Sequence, residues 1–184
     1  MGNSMTALVI NGDTSGSITL QAPAAAGSTV VTVSPQTGTL CVGGPVFNCY
    51  ASGTFSSPNN TYTKVPINTK TFDTNTCFDT TNYRFTPTVA GYYQVQGSVF
   101  ISPPNNTSGF ILSIYKNGSE FQQVHRENFQ NYFNQTAKGG TIVYCNGSTD
   151  YIELYIWQNG GSTQTFGGNT GLSTWFSGCF LRGA

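Results

Sequence analysis

The sequence predicts an all-β protein, an antiparallel sandwich, jelly roll or barrel, and three observations carry that reading. Only 8% of the residues are charged; Asn, Thr, Ser, Gly and Gln take their place beside 13 Phe and 10 Tyr, a mixture that favours strands and tight turns over helices. Several segments alternate apolar and polar residues with the two-residue period of a half-buried strand. Asn-Gly pairs, which accept the positive φ of hairpin turns, stand between them. No segment shows a convincing helical period, so a parallel βαβ sheet lacks its crossover helices.

Taken in order, Ser17–Gln21 and Thr29–Val33 read as two short strands around an Ala- and Pro-rich link. They are too short to make a core alone. Residues 1–43 contain no aromatic, whereas everything after Val46 is dense in Phe and Tyr, which places a boundary at Gly43-Gly44-Pro45. Gly91–Val99 then alternates, with Tyr93, Val95, Gly97 and Val99 facing one way and Gln94, Gln96 and Ser98 the other. Ile111–Lys116 runs into the turn Asn117-Gly118. Tyr151–Trp157 lies between Asn146-Gly147 and Asn159-Gly160, with Ile152, Leu154 and Ile156 on one face and Glu153 on the opposite one.

At 184 residues the chain suits one domain with an appendage, and its net charge is zero. A basic groove that tracks phosphates is thereby excluded, so no nucleic-acid partner is expected. The aromatic content, 14%, argues against disorder. No basic start with an apolar run and no long apolar stretch occurs, so no membrane partner is expected and synthesis is expected in a host cytoplasm. Met1, Gly2 and Thr6 fit a loose myristoylation pattern, which chance explains better because no basic patch assists a single acyl chain. Cys41, Cys49, Cys77, Cys145 and Cys179 include no C-x-x-C pair for zinc and read as small buried hydrophobes.

Between Asp73 and Tyr93 a spaced pattern appears: Asp73, four residues, Phe78, six residues, Phe85, five residues, Gly91, one residue, Tyr93. It resembles the signature of the globular-head family named for the q subunit of the first complement component, related in fold to tumour necrosis factor. Ile111–Gly118, Tyr151–Gln158 and Thr174–Leu181 follow in that family's order, and the resemblance covers about residues 45–182. It implies a jelly-roll sandwich of about ten antiparallel strands, complement-q/TNF-like, that assembles as a homotrimer. The family usually has an aromatic where this chain has Ile67, Val95 and Gly97. Its first and last strands lie side by side, which is what would let Cys49 and Cys179 approach, although cytoplasmic synthesis disfavours a disulfide. The Ser17–Pro23 and Val30–Leu40 stretch is similar in composition to a short module near the starts of bacteriophage virion proteins.

Catalysis finds little to work with. His125, the single histidine, sits in Gln122–Glu127, which reads as a solvated connection between strands, and no Gly-x-Ser-x-Gly surrounds a serine. Asp73 and Asp79 are the nearest approach to the paired carboxylates of a glycosidase, but a carboxylate that satisfies turn N–H groups explains Asp73 better. Asp73, Asn75 and Asp79 could offer oxygens to calcium, and turn chemistry accounts for them equally. No enzyme activity, cofactor or metal is therefore assigned.

The expectation is a virion structural protein: residues 1–43 an extended β attachment arm, residues 44–184 a trimerising jelly roll. It would be a capsid decoration (cement) or short head-fibre protein whose partners are its own copies and capsid or tail proteins. The alternative is a tail-fibre tip that recognises host surface glycan or protein. Phe78, Phe85, Tyr93, Tyr155, Trp157, Trp175 and Phe176 are the candidates for core or trimer interface, with the two Trp favoured for the interface. Ile18, Leu20, Val31 and Val33 are those for the arm, and Phe129, Tyr132, Phe133, Gln158 and Asn159 those for ligand-bearing loops.

Overall fold

The computed structural model describes residues 8–11, 17–20, 43–101, 109–128, 135–167 and 173–184. The chain divides into two units, residues 1–38 and 39–184. In the first, β1 (Leu8–Asn11) pairs antiparallel with β2 (Ser17–Leu20), Leu8 opposite Leu20 and Ile10 opposite Ile18. β2 lies where the alternation places a strand, while β1 was not anticipated. Val31 and Val33, with the rest of Thr29–Val33, lie outside the described residues.

The second unit holds two antiparallel sheets, and no helix occurs among the described residues. The seven-stranded sheet is built on β9 (Ala90–Ile101). Along one side β9 pairs for its full length with β12 (Gln135–Asn146). Along the other it pairs with β15 (Trp175–Gly183) and, at Ile101, with β14 (Gln164–Gly167). β15 is followed outward by β3 (Val46–Tyr50) and β6 (Thr69–Asp73), and β14 by β4 (Thr54–Ser57). The six-stranded sheet is built on β13 (Ile152–Gln158), with β10 (Gly109–Lys116) and then β11 (Ser119–Asn128) on one side. On the other side lie β8 (Arg84–Phe85), which carries β7 (Phe78–Asp79), and β5 (Thr63–Lys64). First and last strands of the head, β3 and β15, are neighbours, as in a jelly roll.

Alternation gives each sheet one apolar face, and the two faces close on a single core. Phe47 from the seven-stranded sheet stacks on Phe85 from the six-stranded one at 4.4 Å between ring centroids. It also meets Phe78 at 5.1 Å and the edge of Phe176 at 5.2 Å. Tyr93 packs edge-on to Phe85 and donates its hydroxyl to the Val89 carbonyl at 2.6 Å, so its one polar group is satisfied in the interior. At Gly97, where the resemblance leads one to expect an aromatic, the space is taken by Leu154: a Cβ there would lie 2.6 Å from its Cδ1. The close approach of the two sheets at that point replaces the missing ring.

Both ends of the sandwich are tied by side-chain amides. At one end Asp150 accepts from Asn117 Nδ2 at 2.7 Å and from the Asn146 backbone N–H at 3.0 Å, joining the turns Asn117-Gly118 and Asn146-Gly147. Asn146 Oδ1 accepts the backbone N–H groups of Ser148, Thr149 and Asp150, each at 3.0 Å. At the other end Gln158 donates to the carbonyls of Ser57 and Ser162 at 3.0 and 2.9 Å and accepts from the Gly160 N–H at 2.6 Å. Because Phe47 bridges both sheets, Phe47→Ala is expected to cost about 3–5 kcal/mol in urea unfolding, with no loss of slope.

Candidate functional site

The outer face of the seven-stranded sheet is where side chains that a strand normally buries meet solvent. Register defines its rows. At the end nearest the Asn146-Gly147 turn, Tyr144, Tyr92 and Arg182 stand side by side; next come Ile142, Gln94, Cys179 and Val46. The third row is Gly140, Gln96, Ser177, Asn48 and Phe72, and the fourth Lys138, Ser98, Trp175 and Tyr50. Tyr92 and Tyr144 pack at 5.6 Å, with Arg182 at 5.9 Å over one ring and Lys116 at 5.6 Å over the other. Phe72, Tyr92, Ile142 and Tyr144 are 40–52% exposed, as is Leu181 at the bulge between Phe180 and Arg182. These exposed apolar side chains make the face the candidate interaction surface of the described residues.

Two depressions indent it. One, of about 380 Å³, lies between Lys138, Gly140, Gln96 and Trp175. The other, of about 220 Å³, shares Gln94 and Gln96 with it and lies over β15 and β3 among Phe72, Val46, Asn48 and Cys179. Both have side-chain amides on their floors and open to solvent.

The interface candidates divide three ways. Phe78, Phe85, Tyr93 and Phe176 are core. Trp175 belongs to the face just described. Tyr155 and Trp157 stand instead on the outer face of the six-stranded sheet, where Tyr155 stacks on Tyr115 at 4.0 Å and Tyr62 lies 5.8 Å from Tyr115 and 6.4 Å from Trp157. That face also carries Glu153, which alternation puts toward water but which is only 2% exposed, closed over by its ion pair with Lys64 at 2.5 Å. Ile18 and Leu20 are in β2, in the first unit.

The ligand-loop reading is corrected at Gln158, which is buried with its amide spent on three backbone groups. Asn159 is exposed, and its Oδ1 accepts the Gly109 N–H. Phe129, Tyr132 and Phe133 lie outside the described residues. His125 is likewise corrected: it lies within β11, not in a connection, with its Nε2 3.3 Å from Glu127. Cys49 and Cys179 are free thiols on opposite faces of the sheet, Cys49 opposite Phe176 in the core and Cys179 opposite Val46 outside it. Burial pushes the Cys49 thiol up to about 12. Among the described residues no three His, Cys, Asp or Glu side chains gather as metal ligands.

Asp73 and Asp79 work as turn acceptors. Asp73 takes the N–H groups of Cys77 and Phe78, both at 3.0 Å, and Asp79 those of Thr81 and Asn82 at 2.8 and 3.0 Å. Burial raises the Asp73 carboxyl, but the Lys70 ammonium and the two N–H groups outweigh it and hold it below the usual range. Asn82 lowers Asp79, and Asn117 lowers Asp150.

No family model matches the chain. Over 101 residues it is 31% identical to the phage-like element PBSX protein XkdV of Bacillus subtilis, a match that covers 51% of this chain and 15% of that protein. Among solved structures it is similar to the globular domain of zebrafish complement 1qA, with a TM-score of 0.56 at 15% identity over 76% of this chain and 99% of that one. Murine APRIL follows with a TM-score of 0.55 at 12% identity, over 75% of this chain and 99% of that one. The Eiger TNF of S. frugiperda gives 0.51 at 9% identity, over 76% and 95%. The head therefore has the complement-q/TNF jelly-roll fold, and half of the chain has a sequence relative in a phage-like element.

Carboxylates held low in the folded state stabilise it above their unfolded pKa, about 3.9, and that stabilisation is lost as pH falls toward the folded values. The melting temperature is accordingly expected to change little between pH 7 and 5 and to drop below about pH 4. Asp73→Asn should be less stable than the parent at pH 7 and lose less on acidification, as read by scanning calorimetry.

Proposed function

We propose that this chain is a non-enzymatic structural protein of a phage particle, a homotrimeric capsid decoration or short head-fibre protein. The observation that carries the proposal is the set of exposed rings and aliphatic side chains along the margins of the outer face of the seven-stranded sheet. A monomer would leave Tyr92, Ile142, Tyr144, Phe72 and Leu181 in water on one surface, and self-assembly covers them. The relative in a phage-like element supports the particle setting.

In this reading residues 1–43 attach and residues 44–184 assemble. Short strands such as β1 and β2, marginal as an isolated ribbon, gain by pairing with a neighbouring sheet edge. Three arms on one trimer then raise the effective concentration of the second and third attachments.

A second reading, a tail-fibre tip that recognises host surface glycan or protein, is favoured by a different observation. Tyr62, Tyr115, Tyr155 and Trp157 are half-buried on the outer face of the six-stranded sheet, which stays uncovered when the opposite sheet assembles. Ring edges and hydroxyls there suit a sugar or a polar protein surface.

Mass spectrometry and imaging of purified particles separate the two readings. Hundreds of copies at threefold shell positions are expected for decoration, and a few copies at the tail would make it a tip. Deleting residues 1–40 is expected to leave a folded trimer that no longer binds the particle, checked by light scattering and co-sedimentation.

A further inference from the structure

On the outer face of the six-stranded sheet, half-buried rings stand among polar groups that the fold leaves unused. Register sets Trp157 and Arg126 on either side of Ile111, which is only 6% exposed between them. One row on, Gln123 stands beside the buried Ser113, and Glu120 beside Tyr115 in the next. Tyr62 packs against both Tyr115 and Trp157, and its hydroxyl accepts from Gln123 Nε2 at 3.4 Å. The carboxylate of the exposed Glu120 accepts from Ser113 Oγ at 2.7 Å, which fixes it and leaves it acceptor capacity. In contrast, the Trp157 indole N–H, the Tyr115 hydroxyl and the Arg126 guanidinium have no hydrogen-bond or ion-pair partner among the described residues.

Charge and polarity narrow the class of ligand that these groups fit. Cations and carboxylates on this face offset one another: Lys64 closes on Glu153, Arg84 stands opposite Asp79, and Arg126 and Glu120 are both exposed. A strongly charged ligand therefore finds no field of opposite sign. Nor do these three rows expose an aliphatic side chain to anchor an apolar protein surface, which would also leave the unpartnered donors buried without a bond. A neutral pyranose meets both conditions. Its apolar C–H face can lie on the rings of Trp157 and Tyr62, while its hydroxyls, each donor and acceptor, receive from Arg126 and the indole N–H and give to Glu120. We infer that this surface binds a neutral pyranose unit of a host surface glycan, with Trp157 and Tyr62 as the platform and Arg126 and Glu120 as the groups that orient it. The inference rests on the second reading above, in which this face meets the host, and names the ligand class for it.

The test titrates the full chain with methyl glycosides of glucose, galactose, N-acetylglucosamine and glucuronic acid, followed by saturation-transfer nuclear magnetic resonance, with folding checked by circular dichroism. At least one neutral glycoside is expected to bind, and the glucuronide about tenfold more weakly or not at all. R126A and E120Q, at exposed positions, are each expected to raise the dissociation constant about tenfold, and W157A to abolish binding, while I142S on the opposite sheet leaves it unchanged. No neutral glycoside bound at tens of millimolar, or binding that R126A and W157A leave intact, would overturn the inference. Competition separates it from the reading on which it rests: excess chain is expected to block adsorption of particles to cells, and periodate, which cleaves vicinal diols, to remove the sites on the cells. A block that survives periodate would overturn the sugar and leave the tip standing. No block at all would overturn the tip reading and the host glycan with it.

Discussion

Phe47 is the point at which the two sheets become one body. Its ring comes from β3, yet its closest ring partner is Phe85 on β8, and through Phe78 and Phe176 it ties four strands of both sheets into a continuous aromatic cluster. With few charges available to orient the sheets, ring geometry and the fit of Leu154 over Gly97 set their spacing. Everything displayed on the two outer faces follows from that, because in a pleated strand the choice of which residues face Phe47 fixes which face water.

The consequence differs between the sheets. The six-stranded sheet covers part of its own outer face: Tyr62 packs against Tyr115 and Trp157, burial with a hydrogen bond to Glu120 raises its hydroxyl pKa, and Lys64 closes over Glu153. The seven-stranded sheet has no such cover. Its central row of Gln96, Ser177 and Asn48 is polar, and the aromatic side chains stand toward its margins.

Much of this was legible in the sequence, for identifiable reasons. β9 and β13 alternate without interruption, and the turn at Asn117-Gly118 has the positive φ that its composition requires, 53° and 77°. The spaced residues from Asp73 to Tyr93 led to the complement-q/TNF fold. What escaped lies where information is non-local. β11 has no buried face and so no hydrophobic period, which made it read as a connection. Glu153 looked solvated because the Lys64 that covers it is 89 residues away in the chain. Trp157 and Trp175 resemble each other as strand-end aromatics, and only strand order puts them on different sheets. Tyr92 falls on the face of Gln94 and Gln96 by the same alternation that buries Tyr93, and its exposure follows from that phase.

The turns that close one end of the sandwich also bear on how the protein ages. An Asn followed by Gly is the pair most open to slow ring closure, in which the next backbone nitrogen attacks the side-chain carbonyl and ammonia leaves. That attack needs the carboxamide to rotate. At Asn117 rotation breaks hydrogen bonds to Asp150 and to the Tyr151 N–H, and at Asn146 it breaks those to three successive N–H groups and to Thr149. The same bonds that shape the hairpins thus slow a chemical clock.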